Sequence, residues 1–160
     1  MSNLRALIHQ LEAYAQEELD LQSRTLVVLR EQEAALFNGD LEAMRRDMQR
    51  LDKELVGAAS RSGRRSDLLR RLGLEFGVAP KTLTLTSICT RLGRDGERLT
   101  RIAGELREAT QSVSRATRRL GALGRMHAKL NDEILGTVLA DSGVDRNNME
   151  RCGALLDARV

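Results

Sequence analysis

Few side chains of this 160-residue chain have the types and spacing that chemistry requires. The two cysteines, Cys89 and Cys152, are 63 positions apart, with no second cysteine near either of them. Neither stands at ligand spacing to His9 or His127, the two histidines. We therefore predict no disulfide framework and no metal site, with Cys89 as a small apolar filler and Cys152 as a free thiol.

Neighbouring carboxylates do not predict a shared acid-base site. Glu17 and Glu18 are adjacent, as are Asp132 and Glu133, and adjacent residues of a helix point about 100° apart. His127 precedes the second pair by five and six residues, but its place in an apolar repeat favours a polar residue that fixes helix register. We expect no catalytic residue, no cofactor and a protein that is not an enzyme.

The composition favours helices. Hydrophobic residues make up 41% of the chain and charged residues 31%, while Tyr14, Phe37 and Phe76 are the only aromatic residues. Strands favour aromatic and β-branched residues, and ligand pockets are lined mostly by large apolar and aromatic side chains. The sequence therefore predicts amphipathic helices and disfavours a deep small-molecule pocket.

Apolar residues at steps of three and four predict three long helices over about 3–37, 41–73 and 84–140. Glycines allow a break at 93–96, and Thr82 or Thr84 is expected to cap a short helix before it. The expected fold is all-α: an elongated antiparallel helical bundle or coiled coil of three long helices plus a short helix. It forms a domain over 1–140, followed by a flexible, disordered tail over 141–160.

The second predicted helix has the most regular repeat, and a glycine- and serine-rich middle near 57–66 predicts a bend there. Its apolar seam, the stripe expected to face the other helices, begins with Leu41, Met44, Met48, Leu51, Leu55 and Ala58. The turn before it is marked by Asn38-Gly39, with Asp40 as the expected helix cap.

Charge is distributed unevenly along the chain. Net charge is −4 over residues 1–40, +3 over 41–80 and +5 over 81–140. An acidic first helix beside two basic helices is typical of a bundle with complementary flanking charges.

A basic stretch in the third helix leaves two interpretations open. It contains Arg115, Arg118, Arg119, Arg125 and Lys129. No aromatic residue is available there to stack on bases, so we favour the solvated flank of a coiled coil over a nucleic-acid interface.

No segment has the pattern of a membrane helix or a secretion signal. The longest run of large apolar residues covers only 26–29, and acidic residues interrupt the N-terminal segment where a signal peptide needs its apolar run. We expect no membrane insertion and a cytoplasmic protein.

Three segments together resemble the FlgN family of bacterial flagellar export chaperones. The first is the turn Leu36-Phe37-Asn38-Gly39-Asp40, and the second is the pattern formed by Arg65, Leu68, Leu69, Leu72 and Gly73. The third is Leu130-Asn131-Asp132-Glu133-Ile134-Leu135, late in the last helix. The resemblance covers most of residues 1–143.

The resemblance implies a cytosolic bacterial chaperone for hook-associated proteins, the junction proteins between hook and filament. Such a chaperone binds their C-terminal helical segments, prevents premature assembly and delivers them to the gate and ATPase components of the flagellar type III export apparatus. The expected client-binding residues are Leu120, Leu123, Leu130, Asn131, Ile134, Leu135 and Val138, with a tail contact at Leu155 and Leu156.

Three alternatives remain open from the sequence. Leu120 and Leu123 could instead belong to the helical core. The chain could be a dimeric coiled-coil scaffold or adaptor of a secretion system, or an Arg-rich protein associated with nucleic acid. A chaperone of the expected kind could also form a homodimer when free of client.

Overall fold

Five α-helices make up most of the described chain. The computed structural model describes residues 2–141, with side chains over 3–137. The helices are α1 (Ser2–Asn38), α2 (Leu41–Leu55), α3 (Ala58–Phe76), α4 (Leu85–Leu92) and α5 (Glu97–Asp141). Single turns of 3₁₀ helix cover Pro80–Thr82 and Gly93–Gly96. The part of the chain described here contains no strand, which confirms the all-α prediction; the predicted tail lies outside it from residue 142 onward.

The predicted single helix over 41–73 is two helices. Val56 leaves the helical conformation, and Gly57 follows at φ +82°, a backbone conformation that favours glycine. The Arg61 guanidinium spans this break by donating to the carbonyls of Glu54 at 3.3 Å and Val56 at 3.0 Å. These bonds supply partners for carbonyls at the end of α2, where a helix itself provides none.

Side-chain caps fix the starts of α2 and α4. The Asp40 Oδ1 accepts from the amide of Ala43 at 2.9 Å, so the predicted cap of α2 is confirmed. Of the two residues expected to cap the short helix, Thr84 does so: its hydroxyl accepts from the Ser87 amide, and the Ser87 hydroxyl accepts from the Thr84 amide. The 3₁₀ turn at Gly93–Gly96 then separates α4 from α5, at the break that the glycines predict.

The chain divides into two compact units, residues 1–120 and 121–160. In the first unit, polar contacts show that α1 runs antiparallel to both α2 and α3. The contacts join Asn3 to Glu75, Gln10 to Arg71, Glu17 to Arg64, Arg24 to Glu54 and Glu31 to Arg50. In every pair the two residue numbers add up to between 78 and 81, so the break at Gly57 leaves the register unchanged.

Two ion pairs show that α5 runs parallel to α1 in the first unit. Arg98 Nε lies 3.9 Å from Glu12, and Arg119 Nε lies 2.9 Å from Glu33. Both pairs are offset by 86 residues, so the two helices keep one register over this length. The acidic first helix therefore lies between basic partners, as the charge distribution predicts.

The core of the first unit is an apolar cluster at the end that contains α4. Its buried members are Leu7, Leu11, Ala15, Leu68, Leu72, Leu83, Ile88, Leu99 and Ile102. Here α1, α3, α4 and α5 all contribute, as in a four-helix bundle. Cys89 packs against this cluster as a half-buried side chain, in agreement with its interpretation as an apolar filler.

The seam predicted for the second helix is not buried as expected. The single buried residue of α2 is Asp47, 6% exposed, whereas Leu41, Met48 and Leu55 are 75%, 57% and 62% exposed. Asp47 lies 3.1 Å from Arg50, which also pairs with Glu31 of α1. Met44 and Leu51 of the seam are half-buried. Because the charged groups hold α2 against α1, Leu41, Met48 and Leu55 are turned to solvent.

Candidate functional site

The second unit exposes large apolar side chains along α5. Leu130, Ile134 and Leu135 are 46%, 59% and 55% exposed, and Met126 is also exposed. At about 100° per residue, Leu123, Met126, Leu130 and Ile134 fall within an arc of about 80°. Leu135 points about 100° beyond Ile134, so with Leu135 the apolar side chains cover about half of the helix circumference. We call these five residues the terminal apolar face.

The predicted client-binding residues differ in exposure and in which unit they belong to. Leu120 closes the first unit as a half-buried side chain, and Leu123 is half-buried in the second. Asn131 is exposed beside Leu130. The Val138 side chain and the predicted tail contacts Leu155 and Leu156 lie outside the described part of the molecule. The exposed residues of the prediction are therefore concentrated in Leu130–Leu135.

Met126 belongs to this face, although it is not among the predicted client-binding residues. The apolar repeat assigns His127, one residue later, to the seam. His127 is half-buried, whereas Met126 lies four residues before Leu130, which places the two side chains on the same side of the helix. The spacing of Met126, Leu130 and Ile134 at steps of four is the signal that could have identified it.

The polar residues beside this face show no shared acid-base arrangement. Glu133 pairs with Lys129 at 3.8 Å, across one helical turn. Within the described residues, no group of three or more histidine, cysteine or acidic side chains could hold a metal ion. The arrangement presents an apolar surface with charges of both signs at its margin, which is suited to packing against another amphipathic element.

A groove of about 340 Å³ in the first unit also has a largely apolar lining. It lies between α1, α3, α4 and α5, and Leu11, Leu69, Leu83, Leu85, Ile88 and Leu106 form much of its wall. Tyr14, Glu18 and Arg65 provide polar groups at its margin. Sequence periodicity did not identify this groove, because it depends on where α4 inserts between the long helices.

The Tyr14 hydroxyl is the group in this groove whose acidity the fold alters. Burial of the side chain, followed by the nearby Glu18 carboxylate, raises the pKa of Tyr14, against smaller opposing effects of Arg65 and Arg64. The guanidinium of Arg64 lies 5.9 Å from the centre of the tyrosine ring. The phenol is therefore held in its neutral form and acts as a polar rim group.

Three members of the predicted basic stretch make contacts within their own unit. Arg119 pairs with Glu33 of α1, and Lys129 pairs with Glu133. Arg115 donates to the Ser112 hydroxyl at 3.3 Å. These contacts agree with the interpretation of the stretch as the charged flank of a helix.

No protein-family model, curated protein or solved structure matches the chain. In the part of the chain that the structure describes, none of the helices combines the length and the apolar character needed to cross a membrane.

Proposed function

We propose that the chain is an export chaperone of the FlgN type, which binds the C-terminal helical segments of hook-associated proteins in the bacterial cytoplasm. Bound to the chaperone, these segments cannot assemble prematurely and are delivered to the flagellar type III export apparatus. The observation that carries the proposal is the terminal apolar face, with Leu130, Ile134 and Leu135 about half exposed to solvent.

The geometry of this face fits an amphipathic helix as ligand. From Leu123 to Ile134 it extends over about three helical turns, roughly 16 Å at 1.5 Å per residue. Helical ligands are anchored by apolar residues at steps of three, four and seven, and a surface with the same periodicity can interdigitate with them. Exposed apolar side chains at this spacing are also a liability in the free protein, which favours a partner that covers them.

The first part of α5 belongs to the core of the first unit. The buried residues Leu99 and Ile102 anchor α5 in the core, and Arg119 pairs with Glu33 further along the helix. The residues of the terminal apolar face are themselves helical, and a binding surface on a formed helix loses less conformational entropy on association than one on a loop.

Calorimetric titration of the full chain tests the proposal directly. The ligands are the C-terminal helical segments of the hook-filament junction proteins from the same genome. We expect saturable one-to-one binding with a negative heat-capacity change, the signature of apolar surface removed from water. Absence of binding throughout the micromolar range contradicts the proposed function.

A pair of variants tests the position of the site. The double variant Ile134→Asp/Leu135→Asp introduces two charges into the terminal apolar face and should abolish client binding while leaving far-UV helicity unchanged. Leu74→Asp is the control, because Leu74 is an equally large apolar residue on α3 that is more exposed than either Ile134 or Leu135. Retained client affinity in the double variant would show that the client binds elsewhere, with the groove at Tyr14 as the next site to test.

A further inference from the structure

The exposed residues Leu41, Met48 and Leu55, which we call the α2 stripe, recur at steps of seven on one side of α2. They extend over about 21 Å of helix. Four helices, α1, α3, α4 and α5, surround the core of the first unit. α2 lies further along α1, beyond α4, where the described part of this unit has no such fourth helix. The α2 stripe is therefore exposed. An apolar stripe of heptad spacing is the surface through which helices pair.

Charged residues beside the stripe alternate in sign. Arg45 lies between Leu41 and Met48 along this side of the helix, and Asp52 lies between Met48 and Leu55. Both charged side chains are exposed, and Arg45 makes only a long contact of 3.8 Å, to Glu42 of its own helix. Along this side of α2, the residues therefore follow the order apolar, positive, apolar, negative, apolar.

This order is self-complementary when two copies run in opposite directions. An antiparallel pair centred on Met48 places Leu41 against Leu55 of the other copy. Arg45 then meets Asp52, twice by symmetry, as in an isologous two-fold interface. In a parallel pair, Arg45 and Asp52 would instead face the flank of the other copy that carries Asp47 and Glu54, which α1 already occupies.

The opposite flank of α2 is already occupied by α1. Asp47 lies 3.1 Å from Arg50, which pairs with Glu31, and Glu54 lies 3.2 Å from Arg24. These contacts fix the rotation of α2 about its own axis. The free flank is thus the one that carries Arg45 and Asp52.

We infer that the α2 stripe is a self-association surface, which pairs with the same stripe of a second copy in antiparallel orientation. Two heptads bury less surface than the roughly 1,200 Å² at the lower limit of stable interfaces. The dimer is therefore weak, and its population rises with protein concentration. The α2 stripe lies in the first unit and shares no residue with the terminal apolar face of the second unit.

Sedimentation velocity of the full, client-free chain tests this inference between micromolar and near-millimolar concentrations. We expect a monomer–dimer equilibrium. Reversing one charge, by Arg45→Asp or by Asp52→Arg, converts two attractive contacts into repulsive ones and should raise the dissociation constant about tenfold or more. The combined variant Arg45→Asp/Asp52→Arg should restore association, because the attractive contacts re-form with exchanged signs.

Two outcomes would overturn the inference. One is a chain that stays monomeric over the whole concentration range. The other is a dimer that is unaffected by either single reversal and is lost in Ile134→Asp/Leu135→Asp, which would assign association to the terminal apolar face. Far-UV circular dichroism confirms folding of each variant, and client titration of Arg45→Asp separates this result from the proposed function, since its client affinity should remain unchanged.

Discussion

The backbone of Val78 packs directly against Gly73. The Val78 amide donates to the Gly73 carbonyl at 2.9 Å, and the Val78 carbonyl oxygen lies 2.8 Å from the point that a Cβ atom at Gly73 would occupy. The ring of Pro80 comes within 3.2 Å of the same point. The chain can therefore turn from α3 toward α4 only because residue 73 has no side chain.

Replacing this glycine should destabilise the protein, although alanine is the better helix former. Gly73→Ala should lower the free energy of unfolding by about 1–3 kcal/mol, because the backbone at Val78 must move to accept the methyl group. Gly63→Ala is the matched control in the same helix, where an added Cβ meets no atom within 4 Å. It should raise stability by about 0.5–1 kcal/mol. Urea denaturation of both variants measures the difference, and equal effects would contradict the close approach.

The surroundings of Tyr14 in the groove predict that the protein loses stability at high pH. Burial and the Glu18 carboxylate raise the pKa of Tyr14 above its ordinary value of about 10. The unfolded chain therefore releases this proton first. The stabilising contribution of Tyr14 is complete below the pKa of the unfolded state and is lost as the pH rises through the pKa of the folded state.

Tyr14 is the single tyrosine of the chain, so the ultraviolet absorbance of tyrosinate reports on it alone. Its midpoint in the folded protein should lie above the midpoint in denaturant. Tyr14→Phe should show a smaller loss of stability between neutral and strongly alkaline pH than the parent protein. A folded midpoint at or below the unfolded one would contradict the surroundings described for the phenol.

Substitution of two isoleucines in different surroundings should separate effects on the free energy of unfolding from effects on client binding. Ile88 is fully buried in the core, and Ile134 is exposed on the terminal apolar face. Ile88→Ala should cost about 2–5 kcal/mol through lost burial and the remaining cavity. The same change at Ile134 should alter stability by no more than about 0.5 kcal/mol and should weaken client binding.

Chemical denaturation and client titration of both variants provide the comparison. A large loss of stability in Ile134→Ala would show that its side chain contributes to the fold. Unchanged client affinity in that variant would remove Ile134 from the proposed site.

Local features were predicted well because neighbouring residues decide them. Asp40 and Thr84 cap helices through side-chain atoms that reach amides three residues away. The charge of residues 1–40 predicted the ion pairs of α1 with its neighbours. Four of the five residues of the terminal apolar face are among those that the family resemblance implies, whereas Met126 was missed because the repeat favoured His127.

The sequence alone thus determined the helical class, the ends of most helices, the charge complementarity and an apolar surface near the end of α5. Only the tertiary structure decided which apolar stripes are buried and which are exposed. Periodicity places Met48 on an apolar stripe, but ion pairs of Asp47, Arg50 and Glu31 turn that stripe to solvent. The same holds for Gly73 and Tyr14, whose surroundings come from segments that the local sequence does not specify. The physical reason is that helical periodicity fixes which side chains share a face, whereas contacts between distant segments fix what that face meets.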